Sequence, residues 1–205
     1  MHDVTYVVLL NWRGWRDTIA CLESVFASRD AALRVIVCDN ASGDGSLEQI
    51  SAWAAGELEV ERPAQARLSQ LLGHVTRPLR QRCISRQEAE SGSAVFDVDL
   101  MLVDNGTNLG FAAGNNVGLR LALAQADMGS VWLLNNDTLV EPDCLLKMHA
   151  GLASADGPAV CGSMIHFFDR PELVQAIGGN RFNRYTGVAG RSEGRFLHEG
   201  DIDPQ

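Results

Sequence analysis

The chain is 205 residues long, 46% hydrophobic and 21% charged, enough to bury roughly 70% of its unfolded surface and too apolar for a disordered, collagenous or coiled-coil protein. Seventeen basic against 26 acidic side chains leave a formal charge of -9. That is the wrong sign for a protein that grips nucleic acid through its phosphates, so no nucleic-acid partner is expected.

In chain order, the first apolar run is Tyr6 to Leu10. Even the longer uncharged stretch Val4 to Asn11 falls short of the ~20 residues that span a bilayer. It also lacks the charged region and small-residue cleavage site of a signal peptide, and a cytoplasmic protein is expected. A helix follows, with Asp17 or Thr18 as its cap and Ile19, Leu22, Val25 and Phe26 on one side. Val35 to Cys38 is a second apolar run. The helix after it opens with Ser46-Leu47-Glu48-Gln49, the spacing of a reciprocal capping box.

From about Gly56 to Asp97 the pattern shows no clean strand. Within it, residues 62 to 87 carry Arg62, Arg67, Arg77, Arg80, Arg82 and Arg86 and no acid. The stretch reads either as a solvated surface excursion, partly helical around Leu68 to Leu72, or as a basic flap over an anionic ligand or membrane surface.

Leu100 to Val103 resumes the apolar runs, Ala113 to Ala126 reads as a third helix with Val117, Leu121 and Ala124 on one face, and Val131 to Leu134 is a fourth run. Pro142 suits the first turn of a fourth helix carrying Leu145, Leu146, Met148 and Leu152. After Gly178-Gly179 the chain is polar and glycine-bearing and reads as loop or short hairpin. The apolar runs are continuous rather than alternating, as in strands covered on both faces. Alternating strand and helix then gives an α/β fold, a mostly parallel sheet with helices on both faces and a ligand beyond the carboxyl ends of the strands.

Four polar segments occupy those ends: residues 11–15, 39–46, 108–116 and 135–138. Asp39, directly after a strand, suits hydrogen bonds from a nucleobase or ribose, or a turn in which Asp39 or Asn40 bonds nearby amides. Asp137 suits a hard divalent cation, which needs only one or two protein carboxylates when a phosphate completes its shell, or a cap for the following helix. Asn108 to Asn116 brings small residues to a helix start, where phosphate is favoured. It is not GxGxxG, which disfavours a nicotinamide dinucleotide fold. Trp12 suits stacking on a base, whereas Trp15 suits packing. The histidines, His2, His74, His149, His166 and His198, show no paired metal spacing. Cys21, Cys38, Cys83, Cys144 and Cys161 are odd in number and lack a CxxC pair, as expected of reduced thiols. Lys147 is the only lysine and no GxxxxGK[ST] run surrounds it, so a P-loop is excluded.

Taken in succession, VVLLNWRG, VIVCDNASGDGS, NLGFAAGNNVGLRLAL and LLNNDTLVEPDCL resemble the nucleotide-sugar-binding half of family 2 glycosyltransferases, bacterial rhamnosyltransferase-like members above all, and VCGSMIHFFDRPELVQAIGG matches their style. The resemblance implies a GT-A, Rossmann-like fold. Its donor-binding domain would span residues 1–180 with an Arg-rich insertion at about 56–97, and a polar segment at 181–205 would begin an acceptor half. It implies an inverting, metal-dependent transfer of a sugar, such as rhamnose, from a dTDP or UDP donor to a saccharide acceptor, at the inner face of the cell membrane through peripheral association. The implied donor site comprises Leu10, Trp12, Asp39, Asn40, Asn108, Gly110, Asn115, Asn116, Asn135 and Asn136, with Trp12 where the family usually has Tyr. Asp137 would hold Mn or Mg in a DxD-like element whose first position is Asn135. The family's Glu-Asp base motif has no counterpart among the 205 residues, so no catalytic base is named. A non-catalytic nucleotide-sugar-binding module is the alternative, and a sugar nucleotidyltransferase is disfavoured because Asn11-Trp12-Arg13-Gly14 is a poor glycine-rich basic loop.

Overall fold

A computed structural model describes residues 4–28, 32–59, 63–157 and 159–177 and the pairs 182–183, 185–186 and 188–189. The chain divides into two compact units, Met1–Asp143 and Cys144–Gln205.

In the first unit the elements run β1 (Val4–Asn11), α1 (Trp15–Phe26), β2 (Leu33–Asp39), α2 (Ser46–Ala55), α3 (Ala66–Leu71), β3 (Gln81–Ser85), α4 (Arg86–Glu90), β4 (Leu100–Asp104), α5 (Gly110–Leu123) and β5 (Met128–Asn135). The five strands form one sheet in the order β3-β4-β2-β1-β5, and every pairing is parallel. This is an α/β, Rossmann-like sheet. Its strand order reverses beside β1, with β2 on one side and β5 on the other, which opens a crevice at their carboxyl ends.

In β1, β2 and β4 the continuous apolar runs are explained by burial on both faces; the run in β5 departs from the expectation, since Leu133 is 52% exposed and only Trp132 of that strand is buried. Tyr6, Val8, Ile36, Cys38, Met101 and Val103 pack with Val117, Leu121 and Ala122 of α5. Val7, Leu9, Val35 and Val37 alternate with them along the strands and are equally buried, facing the other way. Glycines let α5 approach closely: a Cβ at Gly114 would lie 2.6 Å from Leu10 Cδ1, and one at Gly118 would lie 2.6 Å from Val8 Cγ1.

The helix starts differ from those expected. α1 begins at Trp15 with Gly14 as N-cap, so neither Asp17 nor Thr18 caps it. Thr18 instead gives its hydroxyl proton to Asn11 Oδ1 and Gly14 O. Gly45, at φ +80°, is the N-cap of α2 and no capping box forms, because Ser46 already lies inside the helix and donates its N–H and hydroxyl to Asp44 Oδ1. α5 starts three residues before Ala113, at Gly110 with φ +75°.

The Arg-rich stretch does contain a strand, β3. It also holds α3, close to the expected helix. Arg67, Arg77, Arg80, Arg82 and Arg86 each form an ion pair, with Glu141, Glu59, Asp99, Glu88 and Glu90 respectively, all acids from outside the 62–87 stretch. Arg62 lies outside the described residues. Each described guanidinium of the stretch thus has a carboxylate within reach, Glu90 being shared with Arg120.

The second unit holds α6 (Cys144–Ala153) and two antiparallel pairs, β6 (Met164–His166) with β7 (Val174–Ile177), and β8 (Phe182–Asn183) with β9 (Val188–Ala189). Pro142 precedes α6 by two residues rather than opening it. The β8/β9 pair accords with a short hairpin in the polar tail; residues 190–205 lie outside the described residues, as do His2 and His198. No described helix is long and apolar enough to cross a membrane.

Candidate functional site

The carboxyl ends of β1, β2 and β5 and the start of α5 converge on an open cleft of about 440 Å³, within the size range of small-molecule sites. β1 contributes Leu10 and, just beyond it, Trp12; β2 contributes Asn40. Asn108, Gly110 and Phe111 come from the loop entering α5, and Leu134, Asn135, Asn136 and Asp137 from the end of β5. Parallel pairing places Leu10 in register with Asn135, which brings these two loops together from points 125 residues apart in the chain.

Eight of the eleven expected site residues line this cleft: Leu10, Trp12, Asn40, Asn108, Gly110, Asn135, Asn136 and Asp137. Phe111, 69% exposed on the first turn of α5, lines it too and was not expected. Its signal was its place beside Gly110 in a small-residue loop. Trp12 is 54% exposed, with the Arg13 guanidinium 5.4 Å from its ring centroid. Trp15 is half-buried and pairs with Arg16, as expected of a packing residue.

Three expected residues are not in the lining. Asp39 is buried, and its carboxylate accepts from Asn11 Nδ2 at 2.6 Å, from Ser42 Oγ at 2.6 Å and from the Ser42 backbone N–H at 3.0 Å. It is therefore the turn-forming alternative that the geometry displays. Asn115 is buried and spends its amide on Phe111 O, one turn back in α5. Asn116 is exposed on the same helix but away from the cleft lining. Consecutive helical positions point about 100° apart, so one loop-to-helix motif cannot aim all its asparagines at one ligand.

Asn40 is the hinge of the cleft wall. Its Nδ2 donates to Asn108 Oδ1 and Gly110 O, while its Oδ1 accepts from Asn105 Nδ2 and Leu109 N. All four bonds of one buried amide are thus used to dock the α5 entry loop on β2. Arg13 and Ala41, in the loops after β1 and β2, both hold positive φ, +55° and +56°. Such conformations cost of order 1–2 kcal/mol for residues with a side chain and concentrate at functional loops. Arg13 is held there by its N–H to Ser42 Oγ and its Nε to Ser42 O.

For a cation, the cleft offers one carboxylate, Asp137, which is exposed in the turn after β5. Among the described residues no three His, Cys, Asp or Glu side chains cluster as a metal cage. A single carboxylate meets the minimum for a hard divalent ion whose remaining ligands are phosphate oxygens and water. The buried thiols do not compete: burial pushes both Cys21 and Cys38 up to about 12, so they stay protonated. All five cysteines are free.

No protein-family model and no curated protein matches this sequence. Among solved structures the chain is similar to S. aureus TarS 1–349, at 14% identity and a TM-score of 0.46 over 81% of this chain and 42% of that one. It is also similar to the same protein in complex with UDP-GlcNAc, at 13% identity and TM-score 0.46 over 81% and 41%, and in complex with UDP, at 13% and 0.46 over 81% and 42%. The chain spans less than half the length of these structures.

Proposed function

We propose that this chain binds a nucleoside-diphosphate sugar of the UDP or dTDP type in the strand-end cleft and serves as the donor-binding part of a metal-dependent sugar transferase acting on a saccharide acceptor, with rhamnose as the first sugar to test. One observation carries the reading: an aromatic plate, a carboxylate and a helix start from three separate chain segments converge on one cleft at the sheet's reversal point. In this reading Trp12 stacks on the base. The first turn of α5, whose backbone N–H groups lack intrahelical partners, faces the diphosphate. Asn135 and Asn136 offer amides to the sugar or phosphate, and Asp137 holds a Mn or Mg ion. Held by Asp137, the ion would supply positive charge to offset the negative charge of a leaving nucleoside diphosphate.

Titration calorimetry with UDP, dTDP and GDP, each with Mn²⁺ or with EDTA, tests the reading. UDP or dTDP is expected to bind more tightly with Mn²⁺, and Asp137→Ala is expected to abolish that gain. Equal binding by Asp137→Ala overturns the metal assignment, and no binding of any nucleotide overturns the donor site. A second reading, binding without turnover, is favoured by the fact that Asp137 is the only acid among the described residues of the cleft lining, since an acceptor hydroxyl needs a further base to take its proton. Sugar transfer or donor hydrolysis by the chain alone would sink it.

A further inference from the structure

Behind the cleft, and ending at Asn136, runs a line of polar side chains in which donor binding assigns no task to Asp39, Asn11 or Thr18. Asp39 Oδ1 accepts from Asn11 Nδ2 at 2.6 Å, Asn11 Oδ1 accepts from Thr18 Oγ1 at 2.8 Å, and Thr18 Oγ1 accepts from Asn136 Nδ2 at 2.9 Å. Asp39, Asn11 and Thr18 are buried and Asn136 is half-buried. The polarity is forced in one direction. A carboxylate only accepts, so the Asn11 NH₂ turns to Asp39 and its carbonyl to Thr18. The single Thr18 proton is then committed to Asn11 Oδ1 and Gly14 O, and a lone pair is left for the Asn136 NH₂. Gly14 closes the other side: a Cβ there would lie 3.1 Å from Asn136 Nδ2. One turn further along α1, Cys21 Sγ lies 3.8 Å from Asn135 O and 3.9 Å from Thr138 Oγ1. The buried face of α1 thus touches the turn after β5 at three of its residues.

We propose that Thr18 is a positioning residue, backed by Asn11 and Asp39, that fixes the Asn136–Asp137 turn so that the Asp137 carboxylate presents one orientation to the cation and diphosphate. The proposal deepens the donor-binding reading and rests on it. A lone carboxylate on a turn has no neighbouring acid to share a cation with, so its affinity depends on how little it must reorganise, and partners behind such ligands are worth roughly 10- to 100-fold in metal affinity. Asp39 then acts on the site through the relay.

The test uses the full chain and UDP, with Mn²⁺ or EDTA, in Thr18→Val and Thr18→Ser. Valine keeps the shape and deletes the hydroxyl, whereas serine keeps the hydroxyl. Thr18→Val is expected to reduce the Mn²⁺-dependent gain in UDP affinity about tenfold while leaving affinity in EDTA within about twofold, and Thr18→Ser to restore the gain. An unchanged gain, or an equal loss in both conditions, overturns the proposal, the second outcome being that of a purely structural role. Should Thr18→Val fail to fold, Asn136→Ala cuts the same bond from its half-buried end; because the Asn136 amide is also offered to the donor, affinity is expected to fall in EDTA too, and a Mn²⁺ gain left at the parent's value overturns the proposal. A ligand-free arm separates this proposal from donor binding: the Asn136 side-chain amide resonance, assigned by its loss in Asn136→Ala, should exchange slowly in the parent chain and in Thr18→Ser and rapidly in Thr18→Val. If it is equally slow in Thr18→Val, the relay is refuted whatever the nucleotide does. If the relay is present and no nucleotide binds, it is the donor reading that falls.

Discussion

Gly118→Ala is the sharpest probe of how the sheet and α5 are fitted together. The added methyl would lie 2.6 Å from Val8 Cγ1, 3.1 Å from Cys38 Sγ and 3.4 Å from Ile36 Cγ2, against the 3.5–4.0 Å at which carbon atoms attract. α5 would have to lift by about 1 Å over its middle. Val8 on β1 and Ile36 and Cys38 on β2 are fully buried in the register of these two paired strands, so none can swing aside. Overpacking of this kind costs about 1–3 kcal/mol, occasionally more, while alanine returns about 1 kcal/mol of helix propensity. A methyl 2.6 Å from a fully buried side chain takes the upper part of that range, about 2–3 kcal/mol, so a net loss of about 1–2 kcal/mol is expected, which for a chain of this size lowers Tm by about 2–8 °C. Urea unfolding followed by circular dichroism and by tryptophan fluorescence measures it. The control is Val8→Ala, which removes the closest atom: in that background Gly118→Ala should cost at least about 1 kcal/mol less than in the parent chain. A Gly118→Ala chain as stable as the parent, or more so, would refute the close-approach reasoning and leave only helix propensity at work.

Further expectations concern the same sheet. Asp44→Ala should destabilise by about 1 kcal/mol, because Asp44 rather than Ser46 provides the acceptor at the start of α2; a larger loss from Ser46→Ala, by thermal unfolding, would contradict this. Trp53→Phe should cost about 1–3 kcal/mol beyond its small change in volume, since the buried Glu23 carboxylate would lose the indole N–H it accepts at 3.0 Å, and Glu23→Gln should soften that loss in a double-mutant cycle. Burial first, and then the hydrogen bond it donates to Asp127, pushes Tyr6 up to about 12 from its ordinary value near 10. A group raised on folding contributes stability fully below its unfolded value, so this contribution is present below pH 10 and disappears as the pH climbs toward about 12. Tyr6→Phe should flatten the alkaline limb of the stability profile, and an unchanged limb would remove Tyr6 as its cause.

Much of the site was legible before any coordinates. Asn135-Asn136-Asp137 and Asn108 to Gly110 follow directly from the rule that polar residues after buried parallel strands line the crevice. β3 was not legible. Of its five residues only Ile84 is buried, because an edge strand joins its neighbour through backbone hydrogen bonds that any sequence can supply. The helix starts differ for a related reason: Gly14, Gly45 and Leu109 hold the cap positions, while Ser46 bonds to Asp44 in the loop before it and Thr18 to Asn11 at the end of β1.

The sequence by itself determined that four apolar runs would be strands and which loops would stand at their carboxyl ends, because short continuous hydrophobic runs between helices pair most readily as a parallel sheet; burial on both faces holds for the runs in β1, β2 and β4, whereas Leu133 in β5 is 52% exposed. Tertiary structure alone decided what each polar side chain in those loops does. Asn11 and Asp39 are 28 residues apart in sequence and become register partners only when β1 pairs with β2, and a hydrogen bond only 2.6 Å long between them then holds Asp39 within the wall of the cleft instead of on its lining.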